Sequence, residues 1–159
     1  MEALIVVDMQ NWVMAKPLIN KNDLVIVVNK AIKKYREENY VIIFIQHNNK
    51  HLVYNTKEWE IFPELDYRKE DIVIQKEHGD AFENTDLIGI LRSKDISEVT
   101  ICGLVSNGCI KATCLGGLKQ QIIVKLIKNG HSNRNKKAKE IIEQINNEMM
   151  EKGIILYEI

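Results

Sequence analysis

The chain has 159 residues, 45% hydrophobic and 28% charged, the balance of one soluble domain able to bury a core. Its 22 basic and 22 acidic side chains cancel, so no broad field draws nucleic acid or an anionic membrane, and the expected partner is a small-molecule substrate. The opening "MEALIVV" is too short and too acidic for a secretion signal, no apolar run nears the ~20 residues that span a bilayer, and three cysteines, an odd count, point to reduced thiols and a cytoplasmic location.

Residues 3–7 form the first apolar run, and its unbroken, β-branched character predicts a strand covered on both faces. Leu24, Val27, Val28, Ala31, Ile32 and Tyr35 then recur at three- and four-residue spacing, which predicts a helix with Asn22 or Asp23 as its cap. A second strand is predicted at 41–45. Residues 47–69 are polar and aromatic without a clear period, and a loop of that length in a compact domain is usually functional. Strands at 72–74, 99–102, 122–126 and 154–157 alternate with helices at 85–91, 110–118 and 138–149, the last ending before Gly153. This order predicts a single domain over residues 1–159, a three-layer, Rossmann-like α/β fold with a parallel sheet and right-handed crossovers.

Open parallel sheets bind ligands beyond the carboxyl ends of their strands. Asp8 follows the first predicted strand, Gln46 and His47 the second, Lys76 the third, Cys109 the fourth and His131 the fifth. Taken singly, each has a plainer reading. An Asp caps a turn, a Lys is a solvated charge, and a Cys is a small buried hydrophobe, which is the reading for Cys102 and Cys114. Cys109 differs, because it follows Gly108 at an expected helix start, where the helix dipole favours a thiolate and Lys76 adds to the effect. The cysteine spacing matches no zinc pattern.

Three blocks, "ALIVVDMQN" (3–11), "IVIQKEHGDAFENTDLIGIL" (72–91) and "GLVSNGCIKAT" (103–113), resemble the isochorismatase-like cysteine hydrolases, in the family's order and over nearly the whole chain. The resemblance implies a six-stranded sheet of order 3-2-1-4-5-6, a homo-oligomer, and a catalytic Asp, Lys and Cys that fall by motif on Asp8, Lys76 and Cys109. It implies hydrolysis of a small amide or related C–N bond through a thioester, without a cofactor. It also implies a non-proline cis peptide, by position Leu104–Val105, which turns the Val105 N–H and the Cys109 N–H toward one oxyanion. True isochorismatases typically lack the cysteine, so Cys109 points to amide hydrolysis.

The Asp-x-His…His metal cluster of the nicotinamidase branch is not matched by "QHNNKH" (46–51), so no metal is expected; His47 and His51 are the residues one would recruit. Gln120 and Asn129-Gly130 depart from the family's usual Gly-Tyr and Asp-Ala, which bears on substrate shape more than on chemistry. Trp12, Trp59, Phe82 and His131 are the candidates for the substrate pocket, with core packing as the plainer reading of the aromatic ones. Two other classes stay open: a catalytically silent member that binds a ligand or partner protein through the same pocket, and a redox-sensing thiol.

Overall fold

A computed structural model describes every residue from Met1 to Ile159. Six strands, β1 (Glu2–Val7), β2 (Val41–His47), β3 (Ile72–Lys76), β4 (Glu98–Leu104), β5 (Ile123–Ser132) and β6 (Ile155–Tyr157), pair in parallel in the order β3-β2-β1-β4-β5-β6. This is the sheet the resemblance implies. Five helices, α1 (Asn11–Met14), α2 (Lys21–Glu37), α3 (Leu87–Ser93), α4 (Lys111–Lys119) and α5 (Ala138–Glu151), complete the fold, and none is long and apolar enough to cross a membrane.

Successive side chains of a strand point to opposite faces, so β1 feeds two cores. Ala3, Ile5 and Val7 pack with Leu87 of α3, Cys114 of α4 and Met149 of α5, while Leu4 and Val6 pack with Leu24, Val28 and Ile32 of α2. Both faces of β1 are covered, which is why its sequence reads as a continuous apolar run rather than an alternating one.

Helix ends shift by a residue or two, with α2 starting after Asn20 rather than at Asn22 or Asp23 and α3 spanning Leu87–Ser93, and larger departures from the sequence expectation follow. β5 runs to Ser132 rather than stopping at Leu126, because an irregularity lets Ile101 pair with Leu126 and Gly103 pair with His131. Lys128 and Asn129 lie in that irregular stretch and are exposed, which breaks the apolar pattern the prediction followed. The short helix α1 spans too few residues for any period to show. Between β4 and α4 the chain takes one wide turn, Ser106–Ile110, with Gly108 outside helical geometry at φ −117° and ψ −113°. Cys109 therefore sits in this turn, and α4 begins at Lys111, one residue later than the expected 110–118.

Val7 pairs with Ile45 on one side and with Gly103 on the other, so the carboxyl ends of β1 and β4 open the crevice at which the sheet changes direction. Gly103 has φ +123°, and a Cβ there would lie 2.3 Å from the Val7 carbonyl oxygen. Only glycine lets β4 leave the sheet this close to β1.

The loop from 47 to 69 closes one side of the crevice. Gln10 forms an isolated antiparallel bridge with Ile61, and its side-chain amide donates to the carbonyls of His47 (3.1 Å) and Trp59 (2.9 Å). At the far end of this segment Arg36 of α2 forks onto Asp71 at 2.7 and 3.0 Å. These polar ties order a segment that has little regular structure of its own.

Candidate active site

Asp8 is the first residue beyond β1. Its backbone is left-handed (φ +53°), a conformation that Asp tolerates better than most residues, and its amide still donates to Ile45 O at 3.0 Å. The carboxylate is buried. Oδ2 is paired with Lys76 Nζ at 3.1 Å, whereas Oδ1 has no hydrogen-bond partner. A buried carboxylate oxygen without a donor is a poised proton acceptor.

Lys76 ends β3, and its ammonium is fully enclosed. Four groups surround Nζ: Asp8 Oδ2 at 3.1 Å, His47 Nδ1 at 2.6 Å, His78 O at 3.0 Å and Cys109 Sγ at 3.2 Å. An ammonium has three N–H donors and accepts nothing. His47 Nδ1 must therefore be the acceptor, which leaves its proton on Nε2. Burial and the Lys76 charge both hold the His47 imidazole below its usual range, so the ring stays neutral near pH 7. Sulfur is the weakest of the four acceptors while it is a thiol, and it becomes a strong one as a thiolate.

The Cys109 thiol is pushed up to about 12 by burial and then by the Asp8 charge, against the opposing pull of Lys76. The pull toward a thiolate expected of a helix start and of Lys76 is outweighed. Cys109 lies within the wide turn rather than at the start of α4, and desolvation outweighs the ammonium. The resting site is thus a neutral thiol beside an Asp8–Lys76 ion pair.

The turn that carries Cys109 is held from behind. The Leu104–Val105 peptide is cis, as the resemblance implies, and Val105 O accepts from the amides of Gly108 (3.0 Å) and Ile110 (3.2 Å). Ser106 Oγ lies 2.7 Å from His131 Nδ1, and His131 Nε2 lies 2.8 Å from Asn146 Oδ1. Asn146 Nδ2 donates to Lys128 O, so its oxygen faces the ring; His131 donates from Nε2 and accepts the Ser106 hydroxyl proton at Nδ1. Burial lowers the pKa of this imidazole, which keeps the network neutral.

A cavity of about 220 Å³ opens over the thiol, lined by Asp8, His47 and Cys109 at its polar end and by apolar groups including Trp12, Leu52 and Val105. Of the four pocket candidates, only Trp12 lines it. Trp59 belongs to the loop wall, where its ring N–H donates to Gln75 and its carbonyl receives Gln10 and Gln46. Phe82 is in the core that covers one sheet face, and His131 lies behind the turn that carries Cys109. Among the lining residues missed from sequence are two cations, Lys16 and Arg134.

Asp8, His47 and Cys109 each offer a ligand atom within 4.8 Å of the other two, a donor set of the kind zinc takes. The Lys76 ammonium already contacts all three. A divalent cation would have to share that centre with a buried positive charge, so the residues present do not fit a resident metal. His51 stands apart, stacked on Trp12 with ring centroids 4.6 Å apart and 6° between planes.

The raised thiol has a measurable consequence. Iodoacetamide is expected to modify Cys109 before Cys102 or Cys114, since it alone reaches the cavity and the other two are buried. Its rate should climb with pH beyond 9 without a plateau, because the thiol titrates at about 12. Asp8→Asn removes a charge that raises the thiol, so the variant should react faster at a given pH. A plateau below pH 8, or prior labelling of a buried cysteine, would contradict this balance.

Comparison with known proteins agrees with the fold. The isochorismatase domain model matches residues 2–151. The Bacillus subtilis isochorismatase family protein YddQ is 27% identical over 135 residues, covering 80% of this chain and 75% of that protein. The pyrazinamidase of Pyrococcus horikoshii, solved in complex with zinc, superposes with a TM-score of 0.85 at 28% identity over 99% of both chains. The N-carbamoylsarcosine amidase of Thermoplasma acidophilum has the same fold, with a TM-score of 0.85 at 20% identity over 99% of this chain and 95% of that one. With its sheet order, its crevice and a domain match over nearly its whole length, the chain belongs to the isochorismatase family.

Proposed function

We propose that this protein hydrolyses the C–N bond of a small amide or ureido compound through a covalent thioester on Cys109. The observation that carries the reading is the convergence of Asp8, Lys76 and Cys109 from three different strand ends: Lys76 Nζ bridges Asp8 and Cys109 at 3.1 and 3.2 Å, an Asp8 carboxylate oxygen lies within 4.8 Å of the sulfur, and Asp8 and Cys109 line one cavity. The amidase names of the pyrazinamidase and N-carbamoylsarcosine amidase relatives support the same class of reaction.

In this reading Asp8 Oδ1 takes the thiol proton as Cys109 Sγ bonds to the carbonyl carbon. The sulfur need not ionise in advance, which suits a thiol titrating at about 12. One N–H of Lys76 turns to the sulfur as negative charge passes through it. The amides of Val105 and Cys109 hold the carbonyl oxygen while it is an oxyanion. Collapse breaks the C–N bond, and the departing amine takes the proton from Asp8. Water then gives a proton to Asp8 and adds to the thioester, releasing the acid and returning the thiol.

A panel of small amides, ureides and carbamoyl compounds, assayed for ammonia release, tests the reading. Release is expected from at least one of them and should persist after prolonged chelator treatment, given that Lys76 occupies the centre of the donor set. Activity lost to the chelator and restored by zinc, iron or manganese would overturn the metal-free mechanism and recruit His47. A panel without any release would favour a ligand-binding member.

A further inference from the structure

The charges around the cavity are unbalanced. Asp8 is its one acidic side chain, and Lys76 already neutralises it. Lys16 and Arg134 also line the cavity, and neither takes part in any ion pair of the fold. Lys16 is half-buried and parks its ammonium 3.9 Å over the Trp12 ring, whose geometry with His51 is itself a stack. This contact keeps a cation at the cavity wall without cancelling its charge.

Arg134 is exposed, yet the backbone on which it stands is fixed. Its neighbour Asn133 is buried, donates to Ala138 O at 3.2 Å and to Ser106 Oγ at 3.4 Å, and accepts from the Asn135 amide at 3.0 Å. The Asn133 carbonyl accepts from Ile19 N at 3.2 Å, and the Ser132 hydroxyl donates to Ile19 O at 2.5 Å. The segment that bears Arg134 is therefore bonded both to the turn carrying Cys109 and to the connection before α2. A planar five-donor cation on such a frame suits bidentate recognition of a carboxylate.

We infer that the substrate carries a carboxylate away from its scissile amide, and that Arg134, with Lys16 lining the same cavity, is the specificity-determining residue that receives this group. The inference rests on the amidase reading above. The reacting carbonyl lies against Cys109, the apolar wall around Trp12 and Leu52 holds the body of the molecule, and the carboxylate meets Arg134 at the rim. Neutral amides of the same shape leave both cations without a partner.

The test pairs 4-carbamoylbenzoate with its neutral counterpart 4-methylbenzamide, with binding read by calorimetry and turnover by ammonia release. The carboxylate probe is expected to bind about tenfold more tightly at low ionic strength, a preference that shrinks as salt is raised. Arg134→Gln should remove most of the preference, whereas Arg92→Gln on α3, outside the cavity, should leave it intact. Equal binding of the two probes, no measurable binding of the carboxylate probe, or a preference that survives Arg134→Gln overturns the inference. Turnover separates it from the reading beneath it. Ammonia release without a preference removes the carboxylate site and keeps the amidase; a preference without release from either probe or from the amide panel keeps the anion site and removes the amidase.

Discussion

Cys109→Ala and Asp8→Asn are each expected to lower kcat by roughly a thousandfold or more, and the double variant should be scarcely worse than either alone. The reason lies in the resting protonation state. The thiol is held up to about 12, so in the proposed reaction its proton passes to Asp8 as the sulfur attacks the amide near neutral pH. Without the carboxylate the proton has no acceptor, and without the sulfur the carboxylate has nothing to activate. Removing the second member of such a pair subtracts a function already lost. Steady-state kinetics on the two single variants and the double variant check this, with circular dichroism to confirm the fold. Losses that multiply in the double variant would show that the two groups act in separate steps.

Lys76→Met should cost both activity and stability. Its ammonium is the charged partner of a buried carboxylate, and breaking a buried pair from one side typically costs about 3–5 kcal/mol because an unpaired charge is left inside. Asp8→Asn in the Lys76→Met background removes that stranded charge, so urea unfolding should recover most of the lost stability while activity stays absent. Lys76→Arg should not restore turnover. A planar fork cannot place one positive centre within 2.6 to 3.2 Å of Asp8, His47, His78 and Cys109 together. A loss under about 1 kcal/mol in Lys76→Met, or purely additive losses in the double variant, would mean that Asp8 and Lys76 do not form a coupled buried pair.

The parallel sheet was legible because both faces of its central strands are buried. Ala3 to Val7 and Ile42 to Ile45 carry apolar side chains toward two cores, which is what makes these runs unbroken. The rule that chemistry gathers at strand ends pointed to Asp8, Lys76 and Cys109, since each ends its strand, follows it directly or lies one short turn beyond it. It missed Arg134 for a local reason. β5 was ended at Leu126, where Lys128 and Asn129 break the pattern, so the true strand end at Ser132 lay out of view. His131 was misplaced by the same error: it is the penultimate residue of the strand, directed into a buried network with Ser106 and Asn146.

The role of His47 was legible only in part. Sequence placed it beyond the second strand and named it only as a residue a metal would recruit, whereas it supplies a neutral acceptor to an ammonium. Nothing in the local sequence distinguishes these roles, because the deciding neighbour is Lys76, on the adjacent strand. The aromatic candidates failed for a similar reason. Trp59 and Phe82 are as apolar as Trp12, and only the path of the 47–69 loop and the packing of α4 decide which ring reaches the cavity. The thiol pKa was misjudged because desolvation depends on neighbours distant in sequence, whereas the helix-start argument used only adjacent ones.

The central claim is a covalent bond between Cys109 and the acyl part of the substrate. Rapid acid quench during turnover of an amide that releases ammonia, followed by intact and peptide mass spectrometry, reads it directly. The account predicts an added mass equal to the acyl group, located on Cys109, labile to hydroxylamine and absent in Cys109→Ala. Turnover with no acyl mass on Cys109 at any quench time, or an adduct located on another residue, would contradict it.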